Sequence, residues 1–227
     1  RESEVPDLLE YVAEKTDYPV SILQDIVNKF KAVPREQYIL LIDGVENIIP
    51  QCTRYRVLNK AEQLRKHGFK VKVVNLSEFE LTQAQNASHI IIYRSPISPE
   101  LLRLCHLAKD YGKPIFFDID DLVFDTLYTD QLSYTKGLPH HEKENYDANV
   151  RNYGYMLENC DGAITSTNQL QKELKKYQSK VLLNRNLASD ELISISSQFL
   201  KDYSQVSDVV KIGYFSGSIS HNENFEL

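Results

Sequence analysis

The chain has 227 residues, 42% of them hydrophobic and 10% aromatic, enough to bury a core in one large domain or two small ones. Its net charge is −6, and Lys and Arg are scattered among acidic residues instead of forming a stripe, which argues against a nucleic-acid groove. No apolar run approaches the roughly 20 residues of a membrane span, and Arg1-Glu2-Ser3-Glu4 does not resemble a signal peptide.

Residues 5 to 33 predict a helical pair, Pro6 to Lys15 and Val20 to Lys31, separated by Thr16-Asp17-Tyr18-Pro19. Leu8, Leu9 and Val12, then Ile22, Leu23, Ile26, Val27 and Phe30, recur at helical spacing. Tyr11 to Pro19 resembles the first helix of polyketide-type acyl carrier domains, but no Asp-Ser attachment site follows, and the segment is read as a helical appendage over 1–36.

From Tyr38 onward strands and helices alternate, punctuated by Gly and Pro. The expected strands are Tyr38 to Asp43, Lys70 to Val74, His89 to Tyr93, Pro114 to Asp118, Gly162 to Thr165, Lys180 to Leu183 and Lys211 to Phe215. The expected helices are Thr53 to His67, Pro99 to Tyr111, Glu142 to Glu158, Asn168 to Tyr177 and Ser189 to Asp202. Runs such as His89-Ile90-Ile91-Ile92-Tyr93 lack inside/outside alternation, as strands covered on both faces do. The fold class is therefore α/β, a doubly wound, mostly parallel Rossmann-like sheet over 37–208. Lys211 to Ser218 looks like the first strand and Gly turn of another α/β unit, so 209–227 is expected to be the truncated start of a second domain.

Candidate chemistry collects at the carboxyl ends of the strands, where open α/β sheets bind ligands. Asp118, Asp120 and Asp121 follow the apolar strand Ile115 to Phe117 and could orient sugar hydroxyls or hold a hard cation. Phosphohydrolases with an aspartyl nucleophile also use Asp-x-Asp, but after their first strand, whereas this pair follows the fourth. Arg54, Tyr55 and Arg56 open the first long helix, an anion-favouring place, without a Gly-x-Gly-x-x-Gly before them. Arg94 ends the third strand on the same side. His140-His141 is expected in a surface loop and makes a poor metal pair. Cys52, Cys105 and Cys160 are odd in number and widely spaced, which suggests neither disulfides nor a zinc knuckle and fits a reducing cytoplasm.

Four segments taken in order resemble the nucleotide-sugar glycosyltransferases of GT-B fold, especially the retaining group that builds bacterial polysaccharides. They are Cys52 to Leu64, Ile115 to Asp125, Asp161 to Thr167 with Val181 to Asn186, and Ile212 to Leu227. The resemblance implies two Rossmann-like domains around a cleft, with this chain carrying the acceptor half, an interdomain segment from about residue 184 and the opening of the donor half. It implies transfer of a sugar from a nucleotide-sugar donor to a saccharide or lipid-linked acceptor, with no cofactor and no metal. Arg54, Tyr55, Arg56, Arg94, Asp118, Asp120 and Asp121 would then contact substrate, and Gly217 and Ser218 the donor. The family often has His where this chain has Asp120, and its paired glutamates would lie beyond Leu227, so the chain alone is expected to be inactive. The setting would be cytoplasmic, with contact to the inner membrane face left open. The competing reading is a non-catalytic α/β binding or assembly module whose helical pair docks a protein partner.

Overall fold

The computed structural model describes residues 5–16, 18–25 and 37–200. Two compact units divide between Gln37 and Tyr38. In the first, helix α1 (Val5–Lys15) is followed by α2 (helical over 20–25), and the Thr16 hydroxyl donates to Val12 O at 2.7 Å, closing the last turn of α1. The remainder of the expected second helix, Ile26 to Lys31, and the expected strand Lys211 to Phe215 lie outside the described residues.

The second unit is built on six parallel strands: β1 (Tyr38–Asp43), β2 (Val71–Asn75), β3 (Ala87–Tyr93), β4 (Ile115–Asp118), β5 (Gly162–Thr165) and β6 (Val181–Leu183). Their order across the sheet is β2-β1-β3-β4-β5-β6, so the winding reverses between β1 and β3. A reversal of this kind opens a crevice at the carboxyl ends of the two strands, because the connections leave them in opposite directions.

Both faces of the sheet are covered, as the unalternating strand sequences require. Leu40, Ile42, Ile90, Ile92, Ile115, Phe117 and Ala163 pack on one side against Leu101, Leu104 and Ala108 of α6 (Pro99–Asp110) and Met156 and Leu157 of α9 (His140–Asn159). Ile39, Leu41, Ile91, Tyr93, Phe116 and Ile164 face the other way, onto Val57 and Ala61. Those two residues belong to a continuous helical stretch made of α3 (Pro50–Cys52), a π turn (Thr53–Leu58) and α4 (Asn59–Lys66). In the π turn the Asn59 N–H reaches back to Arg54 O, a five-residue closure found frequently at functional positions.

Sequence periodicity does not reveal that π turn or the short helices α5 (Leu81–Ala84), α7 (Thr126–Thr129) and α8 (Ser133–Lys136). The helices α10 (Asn168–Leu174) and α11 (Asp190–Leu200) close the described part of the chain. Side chains at the strand-to-helix junctions start the helices: Ser98 Oγ accepts from Leu101 N at 3.2 Å, Asp125 Oδ1 from Leu127 N at 2.8 Å, and Thr167 Oγ1 from Leu170 N at 3.2 Å. Among the described residues, no helix is long and apolar enough to cross a membrane.

Candidate functional site

Asp43, Tyr93 and Asp118 stand side by side in register at the carboxyl ends of β1, β3 and β4. All three belong to the sheet face that meets the α3–α4 stretch, because each lies two residues after a member of that face: Leu41, Ile91 and Phe116. The helix answers with one polar group or more for each. Thr53 Oγ1 donates to Asp43 Oδ2 at 2.7 Å, the Cys52 thiol lies near the Tyr93 hydroxyl, and Arg56 and Lys60 both reach Asp118.

Asp118 is the most enclosed member. Its Oδ1 accepts from Arg56 Nη2 at 2.6 Å and from Nε at 3.1 Å, while Lys60 Nζ pairs with Oδ2. All three side chains are buried. Burial lowers the Arg56 pKa, and it pushes the Lys60 ammonium well below its ordinary range, with the adjacent Arg56 charge adding to the shift. The other end of Arg56 crosses to the segment after β6, where Nη1 donates to Asn184 O at 2.6 Å and to Asn186 Oδ1 at 3.0 Å. The same helix face holds that segment at further points. Asn59 Nδ2 donates to Leu187 O at 2.8 Å, Asn184 Nδ2 to Gln63 Oε1 at 3.1 Å, and Asp190 N to Glu62 Oε1 at 3.1 Å.

These contacts change what the arginines of the first helix can do. The sequence places Arg56 and Asp118 on substrate, but their charged atoms are turned inward and spent on each other, so they organise the edge from beneath it. Arg54 is exposed and points to α11, where Nη1 pairs with Glu191 Oε2 at 2.8 Å. Tyr55 is also exposed. Gly217 and Ser218 lie outside the described residues. His140 and His141 begin helix α9 instead of occupying a loop, both exposed, with His140 Nδ1 3.4 Å from Glu144. Among the described residues no cluster of His, Cys, Asp and Glu could hold a metal ion.

The expected residues that do come together at the surface are Arg94, Asp120 and Asp121. Arg94 Nη1 lies 3.8 Å from Asp120 Oδ1, and Nη2 lies 3.4 Å from Asp121 Oδ2. Tyr93 donates its hydroxyl proton to Asp120 Oδ1 at 3.1 Å. Arg94 has φ 41°, a left-handed conformation that side chains rarely adopt, and its N–H donates to Asp118 O at 3.0 Å, which holds the backbone there. Burial pulls the Arg94 pKa down, but Asp121 and Asp120 more than offset this and keep the guanidinium charged. Tyr93 is pushed up, first by burial and then by the Asp120 charge, so it stays a protonated donor. Burial also raises the Cys52 thiol, which is therefore a poor nucleophile.

Gly44 follows Asp43 because nothing larger fits. A Cβ there would lie 2.6 Å from Ser95 Cβ and 2.7 Å from Tyr93 O, where Gly44 N still donates to Tyr93 O at 2.8 Å and holds the ends of β1 and β3 together. Sequence reasoning misses Cys52, Thr53, Lys60 and Tyr93 as site residues. A signal for the helix residues is present, since Thr53, Arg56, Val57, Lys60, Ala61 and Leu64 share one helix face, and charges on an apolar face require buried partners. Family models, curated proteins and solved structures gave no match to this chain.

Proposed function

We propose that this chain is the acceptor-binding half of a nucleotide-sugar glycosyltransferase of GT-B type. The observation that carries the reading is convergence. Three of the segments on which the sequence resemblance rests are far apart in the chain, yet they meet at Arg56: Cys52 to Leu64 supplies Arg56 itself, Ile115 to Asp125 supplies Asp118, and Val181 to Asn186 supplies Asn184 and Asn186. They meet beneath the crevice where doubly wound sheets bind ligands.

In this reading Asp120 is the group offered to the sugar. Tyr93 and Arg94 fix Oδ1, while Oδ2 takes no hydrogen bond among the described residues and is free to accept from a hydroxyl. Rate acceleration would come from holding acceptor and donor in line and from stabilising the departing diphosphate. The cations that would meet that diphosphate belong to the donor half, because Arg54, Arg56, Lys60 and Arg94 are each paired with an acid here. The test is transfer by the whole gene product, supplied with UDP-, GDP- and dTDP-hexoses labelled in the sugar and with lipid and saccharide acceptors. Label incorporated into an acceptor, and lost in Asp120→Ala, supports the reading. No incorporation from any donor opposes it.

A further inference from the structure

We infer that the exposed edge of β3 and β4 selects uncharged saccharides and rejects those carrying a carboxylate, an inference that rests on the acceptor-half reading. It follows from how the charges at the edge are already committed. Arg94 is the one cation in direct contact with this edge among the described residues, and it faces two carboxylates, Asp120 at 3.8 Å and Asp121 at 3.4 Å. The other cations near the strand ends, Arg56 and Lys60, are buried on Asp118. Arg54 is turned to Glu191 at 2.8 Å. Glu46, in the β1 loop, adds a further acid and accepts from Ser77 N. Arg185 and Lys136 are exposed elsewhere, Arg185 beyond β6 with Nη2 on Asn168 Oδ1 at 3.0 Å and Lys136 on α8. Even the start of α6 is occupied, with Ser98 Oγ on Leu101 N.

An incoming anion would thus meet the two carboxylates Asp120 and Asp121 against the one cation Arg94, with Glu46 a further acid in the β1 loop. The acceptors that this edge offers are the second oxygen of Asp120 and the carboxylate of Asp121, whose side chain is 60% exposed. Both suit ligand hydroxyls, which donate hydrogen bonds without bringing charge. The Tyr93 hydroxyl, buried and protonated, is already on Asp120 and cannot turn to a ligand carboxylate without giving up that bond. Charge repulsion across several ångströms near a protein surface, partly screened by water, corresponds to about a tenfold difference in affinity.

The experiment uses the 227-residue chain and matched disaccharide pairs. Cellobiose, maltose and lactose are each compared with the same sugar oxidised at one C6 to the carboxylate, and dissociation constants are read from saturation-transfer NMR titrations. The neutral member should bind about tenfold tighter at low salt. The ratio should fall to about threefold or less in roughly 0.5 M NaCl and in Asp121→Asn, because both weaken the same repulsion. The salt series on the unaltered chain keeps the test valid if the variant fails to fold. Equal or tighter binding of the acids, or a preference insensitive to salt, overturns the inference while leaving saccharide binding intact. Binding of neither member of any pair overturns the inference, while the acceptor-half reading stands or falls on the transfer assay with lipid and saccharide acceptors.

Discussion

Replacing Arg56 with Met removes the centre of the buried network while keeping a side chain of similar length. Asp118 then stays buried with Lys60 as its one cationic partner, and Asn184 O and Asn186 Oδ1 lose their donor. Breaking a buried pair by removing one partner costs about 3–5 kcal/mol. That is a large share of the roughly 5–15 kcal/mol that holds a typical domain folded, and in a unit of this size it lowers Tm by roughly 6–20 °C. Urea unfolding followed by far-UV circular dichroism measures the loss directly. The triple variant Arg56→Met, Lys60→Met, Asp118→Leu leaves no charge in this network and should regain most of that loss, short of about 1 kcal/mol for the bond to Asn184 O. A cost below about 1 kcal/mol for Arg56→Met, or a triple variant no more stable than the single one, would refute the view that paired burial of these charges organises the edge.

Other outcomes follow from the same geometry. Gly44→Ala places a methyl 2.6 Å from Ser95 Cβ and must force β1 and β3 apart, so it should lower stability by about 1–3 kcal/mol in the same unfolding assay. Arg94→Gly relieves the φ of 41° and gives up two loose ion pairs, so its stability should stay within about 1 kcal/mol of the parent while saccharide binding falls. Tyr93 has its pKa raised above the ordinary 10.0 by burial, so the folded state keeps its proton where the unfolded chain releases it. Its contribution is fully present below pH 10.0 and is lost as pH rises beyond that value, at up to about 1.4 kcal/mol per pH unit. Tyr93→Phe should flatten the alkaline fall in stability by that slope, as measured by urea titrations from about pH 9 to about pH 11.

Strand positions can be read from sequence because each strand is a short apolar run between Gly or Pro signals, and burial on both faces leaves few polar residues to confuse the pattern. Strand order cannot, because parallel pairing is decided by crossovers that leave no local mark in β1 or β3. The grouping of Arg94 with Asp120 and Asp121 is legible, since all three follow strand ends. The inward turn of Arg56 and Asp118 is not, because the same residues at the same ends fit a solvated site equally well until the helix face carrying Val57 and Ala61 is docked on the sheet. Tyr93 is hidden by its ring, which completes an apolar strand while its hydroxyl serves the site.

The central claim is that the carboxyl edge of β1, β3 and β4 is the saccharide-binding face. Backbone NMR shifts recorded while a neutral disaccharide is titrated into the chain test it most directly. The account predicts shifts confined to 44–49, 93–95 and 119–122, abolished in Asp120→Ala. Shifts centred on the helical unit or on α11, or no shifts at millimolar sugar, would contradict it.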